Sequence, residues 1–221
     1  MEIIREYFLL FIIYSFIGWF MELIYAGIID KKITNRGFLI GPICPIYGVG
    51  CVLIIILLSD FKSHPLGLFT LAIVIASILE YFTSYFMEKM FKARWWNYTQ
   101  NKFNINGRIC LETMVPFGLI ACLVMYIVNP FIIEKLNQVP NLALNIISII
   151  FLILFIIDEV VSFNIINHYK KTVKKVSQED NTEDINQYVK NKLLSKSVLY
   201  RRLIKAFPII EAKIKDVIKK D

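Results

Sequence analysis

Five stretches of this chain, at about 7–28, 39–59, 65–88, 108–128 and 141–165, stay apolar for roughly the 20 residues that an α-helix needs to cross a lipid bilayer. That property narrows the fold sharply, because hydrocarbon offers no partner for backbone N–H and C=O groups. Only helices and closed barrels satisfy their own backbone there. None of the five stretches alternates with a period of two, so helices are expected and a barrel is not. With 57% hydrophobic residues and a mean hydropathy of +0.57, the chain carries more apolar surface than one soluble core would bury. The first stretch reads as a span rather than a cleavable leader. Its flank holds Glu2, Arg5 and Glu6 in place of a basic segment, and no small-x-small site follows. The fold expected is all-α, a polytopic membrane protein with five transmembrane helices over residues 1–169 and an amphipathic, basic tail over 170–221.

Positive charge sets the expected orientation, since Lys and Arg resist translocation. With five spans, the loops 29–38 and 89–107 share a side with the tail, and together with Arg108 they hold 22 of the 25 Lys and Arg. The other side has only Arg5, Lys62 and Lys135. The N-terminus is therefore expected outside and the C-terminus in the cytoplasm. The net charge of +7 comes from the tail, because residues 1–169 carry eleven Lys and Arg against eleven Asp and Glu. Facing an anionic inner leaflet, a basic tail needs lipid as its partner and no nucleic acid. The four cysteines, Cys44, Cys51, Cys110 and Cys122, all fall in spans, with none in an outside loop where a structural disulfide is expected.

Part of the chain is written twice. Phe20-Met21-Glu22 followed by Gly41-x-Ile43-Cys44 returns, 66 residues on and without a gap, as Phe86-Met87-Glu88 and Gly107-x-Ile109-Cys110. Residues 14–57 laid over 80–123 give 12 identities in 44, Asn35 with Asn101 among them. Such a period implies two copies of one supersecondary unit, here two tandem helical hairpins at about 7–59 and 65–128, with the fifth span at about 141–165 outside the repeat. As parallel copies about an axis near the membrane normal, they would make Glu22 and Glu88, and Cys44 and Cys110, symmetry mates. Between Arg36 and Gly50 two prolines and four glycines rule out a uniform helix, so the backbone is expected to break near Gly41 to Pro45. Gly18 and Gly27 offer thin faces for close helix approach. Residues 92–98, with Trp95 and Trp96, read as an interfacial belt.

Six acids stand at membrane depth: Glu22, Glu80, Glu88, Glu112, Asp158 and Glu159. Each costs roughly 2.5–3.5 kcal/mol on insertion scales, so they should face the bundle interior and find partners. Arg36, Arg94 and Arg108 lie at the inner ends of the same helices. Two readings stand open. In one, Glu22 and Glu88 hold the repeats together by pairing with Arg36 and Arg108. In the other, Glu22, Arg36, Cys44, Tyr47, Glu80, Glu88, Arg94, Trp95, Trp96, Asn106, Arg108, Cys110 and Glu112 line a polar pocket that binds a small charged solute or trades protons. A broken start near Gly41 to Cys44 would add N–H groups able to hold an anion.

Catalytic signals are sparse. Cys44 and Cys110 have no histidine placed to activate them, since His64 lies outside and His168 beyond the fifth span. Neither Cys-x-x-Cys nor closely spaced His suggests a metal, and phosphate-loop and dinucleotide glycine patterns are absent, so no cofactor is expected. The chain reads as a transport protein before an enzyme. Two other classes remain: a membrane-embedded enzyme acting on lipid-linked or headgroup substrates, and a non-catalytic membrane partner or regulator.

Several blocks are similar to a known family. Ser15-Phe16-Ile17-Gly18-Trp19 with Glu22, Arg36 to Gly48, Arg94 to Tyr98, and Asn106-Gly107-Arg108-Ile109-Cys110-Leu111-Glu112 resemble small bacterial membrane proteins described as ABC-transporter permeases of type IV. The similarity covers roughly residues 8–128. It implies a permease subunit of the bacterial plasma membrane. With no ATPase motif in the chain, it also implies a separate ATPase subunit, for which residues 89–107 form the one internal loop long enough to offer a docking element, or a homo-oligomer.

Overall fold

A computed structural model describes residues 2–29, 31, 37–91 and 95–176. Among the described residues there are six α-helices: α1 Glu2–Ile29, α2 Pro45–Leu58, α3 Pro65–Phe91, α4 Leu111–Leu123, α5 Asn129–Asn137 and α6 Asn141–Val176. A 3₁₀ turn, Ser59–Ser63, follows α2, and a π-helical turn, Val124–Val128, joins α4 to α5. Five of the resulting segments are long and apolar enough to span a membrane: Glu2–Ile28, Pro45–Ser63, Pro65–Met90, Leu111–Asn137 and Asn141–Ile165. The protein is a multi-pass membrane protein. Its only strands among the described residues are β1 Asn104–Ile105 and β2 Ile109–Cys110, an antiparallel pair just ahead of α4.

α1 packs on α2 and α3 on α4, with α2 and α3 in contact between the pairs. The α1–α2 contact depends on small residues. A side chain at Gly48 would run into the Phe11 carbonyl and the Ser15 hydroxyl, and one at Gly18 would run into the Tyr47 ring. Gly27 has no such neighbour, so only one of the two expected thin faces on α1 is used. Ile54, Leu58, Leu68, Ala72, Ala121 and Met125 bury a core shared by α2, α3 and α4. Leu10, Tyr14 and Val124 form a second core, where the Tyr14 hydroxyl donates to the buried Asn129 side chain at 3.1 Å.

Two segment boundaries differ from the sequence reading. The second span begins its helix at Pro45 rather than near residue 39, because Cys44 and the residues before it are extended or bent. The stretch 129–140, expected as an outside loop, is helical to Asn137. Pro130 has no N–H to give the helix, and the π turn just ahead of it absorbs the misfit, so the helical run continues to Asn137 instead of ending. α6 is 36 residues long, roughly 54 Å, which exceeds the hydrocarbon thickness and carries it well past Ile165. Beyond Val176 the expected tail lies outside the described residues.

Candidate functional site

Two irregular segments precede α2 and α4, and each ends in Ile-Cys. Cys44 is the residue before α2 and Cys110 the residue before α4, both in extended conformation, which matches their equivalence in the sequence repeat. In the first segment the Cys44 N–H donates to the Ser15 carbonyl at 2.9 Å and so seats α2 on α1. The Ile40 N–H donates to Asp158 Oδ1 at 3.0 Å and the Gly41 N–H to Asp158 Oδ2 at 2.9 Å. Ser162, one turn further along α6, accepts from Ile40 N–H at 3.1 Å and donates to Asp158 Oδ1 at 3.1 Å. Of the N–H groups expected near Gly41 to Cys44 to hold an anion, that of Gly41 is thus occupied by a carboxylate of the chain itself and that of Cys44 by the Ser15 carbonyl.

The second segment satisfies itself. Asn106 and Gly107 both have positive φ, 53° and 65°, and the Arg108 N–H closes the turn on the Ile105 carbonyl at 3.0 Å. Because Ile105 pairs with Ile109, Arg108 is an extra residue in the ladder. Its guanidinium lies 2.9 Å from Glu88, donates to Ser84 Oγ at 3.3 Å, and sits 5.7 Å and 5.5 Å from the ring centres of Tyr81 and Tyr85. These four α3 residues stand at i, i+3, i+4 and i+7 on one face, over two turns, so they cage a residue that is only 9% exposed. The Trp96 indole donates to the Arg108 carbonyl at 2.9 Å, and Trp95 packs its ring against Phe38 at 6.0 Å, joining the two segments.

Further into the interior, acids meet tyrosines. Gly18 and Glu22 lie one turn apart on α1. Tyr47 crosses the notch at Gly18 and donates its hydroxyl to Glu22 Oε1 at 2.5 Å. On α3, Glu80 Oε1 accepts from the Tyr98 hydroxyl at 3.2 Å, so the loop after α3 folds back by three turns to reach it. Burial, and then the adjoining Glu80 charge, push the Tyr98 hydroxyl well above the ordinary phenol range, which keeps it a donor. The Glu22 charge acts on both Glu80 and Tyr98, which puts the two acid–tyrosine pairs in one neighbourhood. Among the described residues no Lys or Arg forms an ion pair with Glu22 or Glu80. Several atoms of this interior are buried without a hydrogen-bond partner: Ser15 Oγ, Trp19 Nε1, Ser77 Oγ and Glu80 Oε2.

The sequence candidates therefore divide. Glu22, Tyr47 and Glu80 share one neighbourhood, with Cys44 beside Glu22 and Cys110 beside Tyr98. Glu88, Arg108 and Trp96 form the clamp that holds the hairpin to α3. Glu112 is exposed and accepts from Asn101 Nδ2 at 2.5 Å, and Asn106, also exposed, donates to the Tyr81 hydroxyl at 2.9 Å. Arg36 and Arg94 lie outside the described residues. The companion of Glu22 is Glu80, whereas Glu88, its counterpart in the repeat, belongs to Arg108. Sequence reasoning missed Tyr98, Ser77 and Asp158 as partners. The Asn106-Gly107 dipeptide was a usable signal for the turn, and the spacing of Ser77, Glu80, Ser84 and Glu88 was one for a polar α3 face.

Residues 9–163 match the family described as "Putative ABC-transporter type IV". The chain belongs to that family. The match extends past the second hairpin into α6 and so includes Asp158 and Ser162, which close the first segment of this type IV chain. No curated protein and no solved structure matches it.

Proposed function

We propose that this type IV family member is the membrane-embedded permease subunit of a transporter, with the N-terminus outside, the C-terminus in the cytoplasm of a bacterial cell, and a solute site lined by Glu22, Tyr47, Glu80 and Tyr98. One observation carries the reading: among the described residues the buried Glu80 and the part-buried Glu22 have no basic partner and stand among unpartnered polar atoms between α1, α2, α3 and the loop before α4. Buried polar atoms without partners are costly, and a fold retains them where something else completes them. Rings and hydroxyls position the acids, so the wall is stiff before a solute arrives. The ATPase that would drive such a subunit is a separate chain, and the hairpin Asn104–Cys110 with its flanking loop offers the surface for it.

Uptake of a panel of small solutes into membrane vesicles, prepared from cells that make the full chain and its natural partners, tests the proposal. Glu80→Gln and Glu22→Gln should each lower flux by at least about tenfold while the protein stays folded and at normal abundance. Flux unchanged in both would return these acids to a purely structural role.

A further inference from the structure

The open atoms of the interior have a common chemistry. Glu80 is 5% exposed and Ser77, three residues earlier on the same face of α3, is 6% exposed. Glu80 Oε2 and Ser77 Oγ are both buried with no partner. The Tyr98 oxygen gives its proton to Glu80 Oε1 and keeps its lone pairs. These three groups offer oxygen atoms only. Trp19 Nε1 can only donate, so it stands outside such a ligand set. Oxygen-only surroundings suit hard cations, and soft metals prefer thiolate or imidazole. A single carboxylate completed by neutral hydroxyls matches one positive charge, and the nearby Glu22 adds attraction of the same sign.

We propose that Glu80, Ser77 and the Tyr98 hydroxyl form a binding site for one alkali cation, sodium or potassium, inside the polar interior. This rests on the transport reading above and names the class of ion that the same interior takes. An ion there would complete Glu80 Oε2 and Ser77 Oγ, and it would neutralise a charge that is expensive to hold at this depth.

The test reads binding, so that it can fail independently of flux. Purified full-length protein in detergent is melted in sodium, potassium and N-methylglucamine chloride at one ionic strength. A saturable rise in Tm of about 2–4 °C in sodium or potassium over N-methylglucamine supports the site. Glu80→Gln should abolish that rise, Ser77→Ala should raise the half-saturating concentration by about tenfold, and the exposed Glu134→Gln should leave it unaltered. Equal Tm in all three salts overturns the proposal, as does a rise that persists in Glu80→Gln. Should Glu80→Gln fail to fold, Ser77→Ala and Tyr98→Phe decide, and an unmoved half-saturation point in both overturns it. Flux that is unchanged in Glu22→Gln and Glu80→Gln while the native chain shows the cation shift sinks the transport reading alone, whereas flux that depends on these acids without any cation shift sinks only this one.

Discussion

The segments before α2 and before α4 occupy equivalent places in the sequence repeat, end in the same Ile-Cys, and solve one problem in two ways. Each brings non-helical backbone to the start of a membrane span, where an unpaired N–H is expensive. The first borrows its acceptors from Asp158 and Ser162 on α6. The second makes its own, with a two-residue ladder, an Asn-Gly turn and side-chain bonds such as Asn104 Oδ1 accepting from Gly107 N–H at 3.0 Å. The helix starts are alike and their supports differ. Among the described residues the second carries an arginine cage, and Tyr98 of its loop reaches inward to Glu80.

That contrast can be broken at its most costly point first. Arg108→Ala removes the guanidinium that lies 2.9 Å from the Glu88 carboxylate, and should cost about 3–5 kcal/mol and free the hairpin from α3. Thermal melting with a Glu88→Gln partner variant checks it, because the double variant should recover part of the loss. On the first segment, Asp158→Asn keeps one carbonyl oxygen and turns an amide towards a backbone donor. A loss of about 1–3 kcal/mol is expected, read by melting and by faster proteolysis near residue 40. Gly107→Ala puts a Cβ on a residue at φ 65° and should cost about 1–2 kcal/mol, whereas an equal loss at Gly27, which faces open space, would contradict the assignment. The smallest effect belongs to Tyr98→Phe, about 0.5–1.5 kcal/mol in stability, with its larger consequence expected in flux.

Hydropathy made the spans legible, because bilayer thickness fixes helix length independently of packing. The break near Gly41 was equally legible from its prolines and glycines. What the residues did not disclose was partnership across long intervals. Asp158 and Glu159 are adjacent in the sequence, and nothing in their spacing says that Asp158 turns to a backbone 117 residues away. The repeat also misled in one respect, since it drew attention to Glu88 as the twin of Glu22. The acid whose surroundings feel the Glu22 charge is Glu80, which the repeat aligns with Tyr14.

Borrowing from α6 also has a cost in time. The ribosome emits residues 40 and 41 long before Asp158, and at about 5–20 residues per second the intervening 117 take roughly 6–23 s. Throughout that delay the first hairpin has to wait half-finished in the translocation machinery, its two amides lacking their carboxylate. The second hairpin closes on itself within a few residues of synthesis. Nascent chains arrested before residue 158 should therefore expose the neighbourhood of Gly41 to protease and already shield that of Gly107.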